Sequence, residues 1–336
     1  MTDGPVTTTP IADLPDDLPP VKPPSIGFIF QLFIFPALIV AAVIAVWVLF
    51  GKLASGEQDW RTLVGELSSP NHHIRNRAMF GLAQLLDNDQ RRGDQGQQLA
   101  RNPQIAQGLA EQLTKELNSQ SVSKETIDHQ VYLTRALGLL DVPDVSLPPL
   151  VQALDAVYDV EVRKSACISV AMISGRTWER GDPLSSPQLA QGLVQLSQDG
   201  DKRLRRAAAF ALGLLDPAVS QDRLMVLLED ADWMTQVNAA VALSRQGSLQ
   251  GYGILREIMT GKVVVDPEVP DEAPATELII LKNGLDAVKL LAKKLSPEQN
   301  TEMETLIGEL LRTHRESRVR ADAAATLAVL KAGEES

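Results

Sequence analysis

The sequence predicts an all-α protein, an α-solenoid of about seven helical repeats preceded by one transmembrane helix. One uncharged apolar run covers residues 26–50, and one amphipathic helical pattern recurs along the rest of the chain. Aromatic residues make up only 4% of the sequence, which favours helices over a β-sandwich or barrel. We therefore expect a tail (1–25), a transmembrane helix (26–50), a short linker (51–59), the solenoid (60–332) and a final tail (333–336).

The N-terminal tail, residues 1–25, is rich in proline, threonine and aspartate. Such a composition buries too little apolar surface to fold, so a flexible tail is expected. The functional alternative is a proline-rich docking peptide.

The apolar run from Ile26 to Phe50 contains no charged residue and is long enough to cross a bilayer. Pro36 lies inside it and marks either the start of the regular helix or a kink. A cleaved signal peptide is disfavoured because a basic leading region is missing, and a buried core helix is seldom uncharged over this length. Lys52 and Arg61 after the run slightly outnumber the single Lys22 before it. The sequence thus predicts a single-pass protein of the cell membrane with a cytoplasmic solenoid.

Net charge and cysteine content narrow the classes of function. The formal net charge is -11, which disfavours nucleic acid as a partner. Cys167 is the only cysteine, so an intrachain disulfide is excluded.

The repeat is carried by four helical positions spaced by four, four and three residues, which lie on one helical face. Seven segments fit, and their first positions stand 31 to 55 residues apart, around the period expected for repeats of two or three helices. These segments begin at Ile74, His129, Val162, Leu204, Thr235, Ile280 and Val319. Shorter amphipathic partner helices are predicted at Ala106–Leu117, Leu147–Val157, Gln188–Leu196, Gln221–Leu228, Gly253–Met259 and Gln299–Leu311. The motif LGLLD occurs twice, at 137–141 and 212–216.

Several segments resemble the HEAT-repeat family, among them VRKSACISVAMI (162–173), LRRAAAFALGLL (204–215) and VRADAAATLAVL (319–330). In that family the second helix of a repeat typically opens with a valine–arginine pair, and the second residue of these segments is an arginine. Four segments keep that arginine, as Arg75, Arg163, Arg205 and Arg320, whereas Gln130, Gln236 and Leu281 replace it. The resemblance implies an inter-repeat ladder in which these arginines bond to acidic residues of adjoining turns, with Asp159, Asp201 and Asp230 as nearby candidates. The alternative is a concave-face surface that binds anionic ligands.

Three stretches depart from the repeat: residues Asp87–Gln104, Ser174–Pro187 and Gly261–Glu277. Insertions in solenoids project from one edge and often bind partners. Trp178 is the candidate loop anchor for a partner, and packing onto the nearest helix is the alternative.

Catalysis finds little support in the sequence. His72 and His73 are adjacent and point apart on regular structure, while His129 and His314 have no partners at a metal-ligand spacing. Cys167 has no nearby histidine and is expected to be a small buried side chain. A phosphate-binding GxxxxGK and a zinc-binding cysteine pair are absent from the sequence. We expect no catalytic, cofactor or metal site.

Two basic clusters, at 202–206 and 312–320, alternate with acidic residues and are interpreted as solvated faces. The predicted function is a membrane-tethered scaffold or adaptor without catalytic activity. Its expected partners are other proteins, such as subunits of a membrane complex, and the lipid bilayer through residues 26–50, with no nucleic acid. The alternative is an enzyme or enzyme accessory of the pigment-lyase-like HEAT-repeat group.

Overall fold

A computed structural model of the chain describes residues 27, 34, 36–47, 59–119, 122–261 and 273–334. The chain divides into two units, Met1–Glu57 and Gln58–Ser336. In the first unit residues 36–47 are helical, and all their side chains are exposed. Within the described ranges, no helix combines the length and the apolar character needed to cross a membrane. The predicted tail 1–25, most of the linker 51–59 and the remainder of the predicted span 26–50 lie outside the described residues.

The described part of the second unit is built from paired α-helices. The first helices of the pairs are α1 (Trp60–Glu66), α3 (Pro103–Asn118), α5 (Pro143–Gln152), α7 (Pro187–Leu196), α9 (Pro217–Leu227), α11 (Tyr252–Met259) and α13 (Pro297–Thr313). The second helices are α2 (His72–Arg91), α4 (Lys124–Leu139), α6 (Val160–Glu179), α8 (Lys202–Leu212), α10 (Trp233–Arg245), α12 (Ala273–Leu291) and α14 (Ser317–Glu334). The prediction of an all-helical repeat solenoid is therefore confirmed.

The repeating four-position pattern identifies the second helix of every described pair. Most of its positions are buried, as in α8, where Leu204, Ala208 and Leu212 have no exposed surface. Successive second helices from α4 to α14 pack side by side, and the first helices form the opposite layer. The pattern predicts these helices because each helix buries one apolar face. A small residue at the second of the four spaced positions, such as Ala208, lets the neighbouring helix approach closely.

Local sequence signals set where the helices begin. Prolines occupy the first position of five first helices, at Pro103, Pro143, Pro187, Pro217 and Pro297. A proline there costs no hydrogen bond, because the first amides of a helix have no partner within it. Helix α5 accordingly occupies Pro143–Gln152, so its predicted bounds of Leu147–Val157 were wrong. The short helix α1 was not predicted.

The predicted loop Asp87–Gln104 is more ordered than expected. Helix α2 continues to Arg91, and short 3-10 helices follow at Gly93–Gln95 and Leu99–Arg101. The buried carboxylate of Asp89 accepts hydrogen bonds from the backbone amides of Gln97 and Leu99, the latter at 2.6 Å. One acidic side chain on the helix thus organises the connection that follows it.

Both LGLLD motifs place a glycine where two second helices come into contact. A Cβ atom on Gly138 would lie 2.7 Å from the Cβ of Ser169 in α6, and one on Gly213 would lie 2.3 Å from that of Ala242 in α10. The aspartate of each motif donates its backbone N–H to a carbonyl in the preceding connection, Asp141 to Ala100 at 2.7 Å and Asp216 to Leu184 at 2.9 Å. The motif therefore joins consecutive repeats at two points.

The hydrophobic core divides into two clusters that meet in α10. Ala239 and Leu243 belong to the cluster formed by the earlier helices, whereas Val237 and Ala240 belong to that of the later ones. Helix α10 therefore buries two faces and connects the two parts of the solenoid.

Candidate functional site

The second helices carry most of the exposed large apolar side chains of the solenoid. Their exposed members are Phe80, Leu139, Ile168, Met172, Phe210, Ile279, Leu290 and Val329. Among the described first helices, Met225 and Val226 of α9 are the corresponding residues. Apolar side chains that face solvent along one layer are typical of a surface that contacts another molecule.

A groove crosses this layer over α6, α8, α10 and α12. It encloses about 620 Å³. Its apolar lining includes Ile168 and Phe210, which are each 46% exposed, and Leu290, which is 59% exposed. Because the contributing residues come from four successive repeats, stacking of the repeats creates the groove.

Two arginines line the groove and differ in their partners. Arg176 donates from Nη2 to the carbonyls of Gly138, at 2.9 Å, and Leu140, at 2.7 Å. The guanidinium of Arg245 lies over the Phe210 ring, 5.7 Å from its centroid. The Nη1 atom of Arg245 is buried without a hydrogen-bond partner. Burial lowers the pKa of Arg245, and no carboxylate of the described residues offsets that burial.

The prediction of Trp178 as a loop anchor was wrong in its placement. Helix α6 continues through Gly175 to Glu179, so Trp178 lies in its last turn and lines the groove. The chain leaves the helix at Gly181, whose φ of +76° favours glycine. The predicted insertion 174–187 is therefore half helical. Residues 262–272, which form most of the predicted insertion 261–277, lie outside the described residues.

The arginines of the repeat pattern share one backbone contact. Arg205 donates from Nη1 to the carbonyls of Asp199, at 3.0 Å, and Gly200, at 3.1 Å, in the turn before its own helix. Arg75 and Arg320 bond the two equivalent carbonyls of their own turns, and Arg163 bonds one of them, that of Tyr158, through Nε. Gln236, which replaces the arginine in α10, bonds the carbonyl of Asp230 at 2.6 Å. The second residue of the segment thus fastens the turn inside the repeat in five of the seven described pairs, and in α10 a glutamine does so.

Contacts to the next repeat vary among these arginines. Arg205 forms a two-pronged ion pair with Asp230, with Nε–Oδ2 at 2.9 Å and Nη2–Oδ1 at 3.0 Å. Arg163 contacts Asp199.

At the first pair of the array Arg75 contacts Glu125, whereas Arg320 in α14 bonds only the carbonyls of His314 and Arg315 within the described residues. Asp159 and Asp201, two of the acids suggested for the ladder, instead cap the starts of α6 and α8.

One inter-repeat ion pair was missed by sequence reasoning, which interpreted Arg206 as part of a solvated face. Its Nε lies 2.8 Å from Oδ2 of Asp232, and its Nη2 lies 2.6 Å from Oδ1. The consecutive arginines 205 and 206 thus match the acids 230 and 232 of the following turn. Two adjacent arginines followed in the next turn by two aspartates were the sequence feature from which this ion pair could have been predicted.

This second ion pair gives stability a pH dependence. Burial by itself raises the pKa of Asp232, but the hydrogen bonds from Arg206 and Thr235 and the Arg206 charge outweigh it and hold that pKa below its ordinary value. A pKa that is lower in the folded than in the unfolded state stabilises the fold above the unfolded-state pKa of about 4, and that contribution is lost as the pH falls through the folded-state value.

We expect Arg206→Gln to lower the urea midpoint at pH 7 and to differ progressively less from the parent protein below about pH 4. Urea unfolding across that pH range, followed by circular dichroism, measures the difference. A difference that stays constant into acid would contradict the assignment.

The residues that the sequence analysis considered for catalysis do not line the groove. Cys167 is completely buried, and burial raises its pKa to about 12, so the thiolate needed for nucleophilic chemistry is disfavoured. His129 is 4% exposed, and its Nδ1 contacts Glu116 while its Nε2 has no hydrogen-bond partner. It lines a polar pocket of about 330 Å³ together with Arg75 and Lys124. Among the described residues, no group of three His, Cys, Asp or Glu side chains could hold a metal ion.

Comparison with known proteins supports the helical repeat architecture. Residues 187–264 match the family model for HEAT repeats, so the predicted resemblance is confirmed over that range. That range contains α7 to α11 and includes the ion pairs of Arg205 and Arg206. No curated protein matches the sequence.

Several solved structures of helical repeat proteins are similar to the chain at low identity. A designed armadillo repeat protein in complex with the peptide (KR)4 is 17% identical, with 81% of this chain and 100% of that chain covered and a TM-score of 0.41. The complex of CpcE and CpcF of phycocyanin lyase from Nostoc sp. PCC7120 is 15% identical, with 81% and 94% covered and a TM-score of 0.45. Human deoxyhypusine hydroxylase in complex with glycerol is 16% identical, with 84% and 99% covered and a TM-score of 0.32. Likenesses at these values carry no inference about ligands or activity.

Proposed function

We propose that the chain is a membrane-tethered scaffold whose solenoid binds a partner protein along the second helices. The observation that carries this proposal is the apolar groove over α6, α8, α10 and α12, where apolar side chains from four repeats face solvent. Stacked repeats already bury their shared core, so the exposed part of these side chains is not required for the packing of the solenoid itself. Covering them with a partner would remove apolar area from water and favour association.

The ion pairs of the stack support the same proposal. Arg203, Arg205 and Arg206 of the basic cluster at 202–206 each contact a carboxylate of the described residues. A cluster whose arginines are already paired offers little positive charge to nucleic acid phosphates. The groove, in contrast, offers apolar area together with a few polar groups, which is the composition of a protein interface.

A matched pair of substitutions tests the protein-binding proposal. Phe210→Glu places a charge in the groove, and Val226→Glu places the same charge on the exposed first helix α9, where Val226 is 58% exposed. We expect proteins copurifying with the tagged full-length chain from mild detergent extracts to be lost with Phe210→Glu and kept with Val226→Glu. Partners that survive both changes, or are lost with both, would contradict a binding site at the groove.

The tether is proposed from the uncharged stretch 26–50 and from the exposed apolar side chains of the helical residues 36–47, among them Leu38, Ile39 and Val43. The proposal extends to a cytoplasmic solenoid, because positive charges are more frequent after the stretch than before it. The full chain should stay with membranes under alkaline carbonate extraction, whereas a chain that lacks residues 26–50 should be released. Reporter fusions after Ser336 test the orientation, and an outward-facing reporter would overturn the cytoplasmic assignment.

The alternative of an enzyme or enzyme accessory similar to pigment lyases stays a prediction. Its remaining support is His129, which is buried, contacts Glu116 and lines a pocket with several polar side chains. Cys167 gives no support, because burial keeps its thiol protonated. The binding proposal is preferred because the groove presents exposed apolar side chains from four successive repeats.

A further inference from the structure

Within the described residues Arg245 is a cation without a countercharge, whereas several arginines of neighbouring repeats are paired with aspartates. Arg163, Arg205 and Arg206 each contact an aspartate of the next repeat. No carboxylate of the described residues neutralises Arg245, and its Nη1 atom is buried without a hydrogen bond to any of them. Burying a guanidinium is costly unless a partner satisfies it, and a single aromatic face offsets only part of that cost.

The surroundings of Arg245 define what would satisfy it. Its guanidinium lies over the Phe210 ring, and the exposed side chains of Ile168, Met172 and Leu290 line the same groove. A carboxylate that pairs with this guanidinium from the groove must therefore belong to a segment that also presents apolar side chains to these residues. A hydrated ion or a uniformly polar peptide would leave the apolar lining uncovered.

The other charged groups of the groove leave this role to Arg245. Arg176 already donates from Nη2 to two backbone carbonyls at the end of α4, and its buried Nε, which makes no hydrogen bond within the described residues, lies 3.8 Å from the carboxylate of Asp141. Glu179, on the exposed side of α6, is the carboxylate among the groove residues, and it makes no ion pair with Arg245. A carboxylate brought by a partner would be attracted to the guanidinium of Arg245, which no carboxylate of the described residues neutralises.

We propose that the groove binds a segment of a partner protein that places an aspartate or glutamate carboxylate on Arg245 between flanking apolar side chains. This inference rests on the proposed function, because it assumes that the groove binds protein. It adds the chemistry of the partner, an acidic and apolar segment, and names Arg245 as the residue that selects it. Truncating one side of a desolvated charge pair commonly weakens binding by about 30-fold or more.

The test uses a phage-displayed library of random peptides selected on the immobilised full-length chain in mild detergent. We expect the selected peptides to share an Asp or Glu flanked by apolar residues. Affinities of one synthetic selected peptide, and of its Asp→Asn or Glu→Gln analogue, are then measured against the parent chain, Arg245→Gln, Phe210→Glu and Val226→Glu. Circular dichroism of each variant checks that the solenoid remains folded.

We expect Arg245→Gln and the amide analogue to weaken binding by about 30-fold each, and the two changes together to weaken it no further than either alone, since both remove the same ion pair. Phe210→Glu should abolish binding, and Val226→Glu should leave it unchanged. Peptides that require Phe210 but bind Arg245→Gln and the amide analogue with unchanged affinity would overturn the carboxylate inference and leave the protein-binding proposal standing. Selection of no peptides, or of peptides that bind Phe210→Glu as well as the parent chain, would overturn both.

Discussion

Replacing Arg205 by alanine is expected to lower the free energy of unfolding by about 3–5 kcal/mol, the largest effect of any single change at the repeat arginines. The side chains of Arg205 and Asp230 are only 17% and 10% exposed, so the substitution leaves Asp230 buried without its countercharge. It also frees the carbonyls of Asp199 and Gly200, which Arg205 bonds inside its own repeat. One side chain thus stabilises both the turn within the fourth pair and the junction with the fifth.

A matched control separates this effect from the loss of an ordinary surface charge. Arg77 pairs with Glu66 at 2.7 Å, but its side chain is 63% exposed. Arg77→Ala should therefore cost less than about 1 kcal/mol. Urea unfolding followed by far-ultraviolet circular dichroism measures both variants. Equal losses for Arg205→Ala and Arg77→Ala would show that the ladder adds nothing beyond surface electrostatics.

We also expect Arg205→Ala to change the shape of the urea-unfolding transition. Stacked repeats unfold together only while the interfaces between neighbours are strong. Because Arg205 and Arg206 both join α8 to the turn before α10, the Arg205→Ala transition should broaden or separate into two steps. Arg77→Ala should keep the parent's single transition.

Replacing Gly138 by alanine should lower the free energy of unfolding by about 1–3 kcal/mol, although alanine is the better helix former. The added methyl would lie 2.7 Å from the Cβ and 2.9 Å from the Cα of Ser169, so α4 and α6 would have to separate. Backbone atoms on the far side of the contact cannot rotate away as a flexible side chain does. Packing of the second helices therefore outweighs local helix propensity at this position.

Gly308 provides the control for the Gly138 change, because it is also inside a helix, α13, and its added Cβ would meet nothing within 4 Å. Gly308→Ala should raise the free energy of unfolding by up to about 1 kcal/mol. Thermal or urea unfolding of the two variants compares the signs. Stabilisation by both substitutions would contradict the close approach of α4 and α6.

The second helices could be predicted from the sequence because burying one face of a helix imposes a regular spacing of apolar residues, which is visible in the sequence alone. Val162, Ala166, Val170 and Ile173 form such a set, and each is at most 1% exposed. Helix bounds were less predictable. The continuation of α6 through Ser174 and Gly175 depends on packing against neighbouring repeats, which overrides the weak helix propensity of glycine and serine.

The partners of individual side chains were the least predictable feature. Arg163 was expected to bond an aspartate of an adjoining turn, but the choice of Asp199 over Asp201 depends on which of the two caps α8. Arg245 looks like any other basic residue at the end of a helix, and its unpaired state follows only from the stack around it. A property that depends on the absence of a neighbour in three dimensions has no local signature in the sequence.

The most direct test of the groove is site-specific photo-crosslinking in cells that express the full-length chain with Phe210 or Val226 replaced by p-benzoylphenylalanine. Both positions face solvent, at 46% and 58% exposure, but Phe210 lies in the groove on α8 and Val226 lies on the first helix α9. The account predicts a discrete crosslinked protein from position 210, lost when Arg245→Gln is added, and none from position 226. Crosslinks of equal yield from both positions, or from position 226 alone, would contradict a partner-binding site on the second helices.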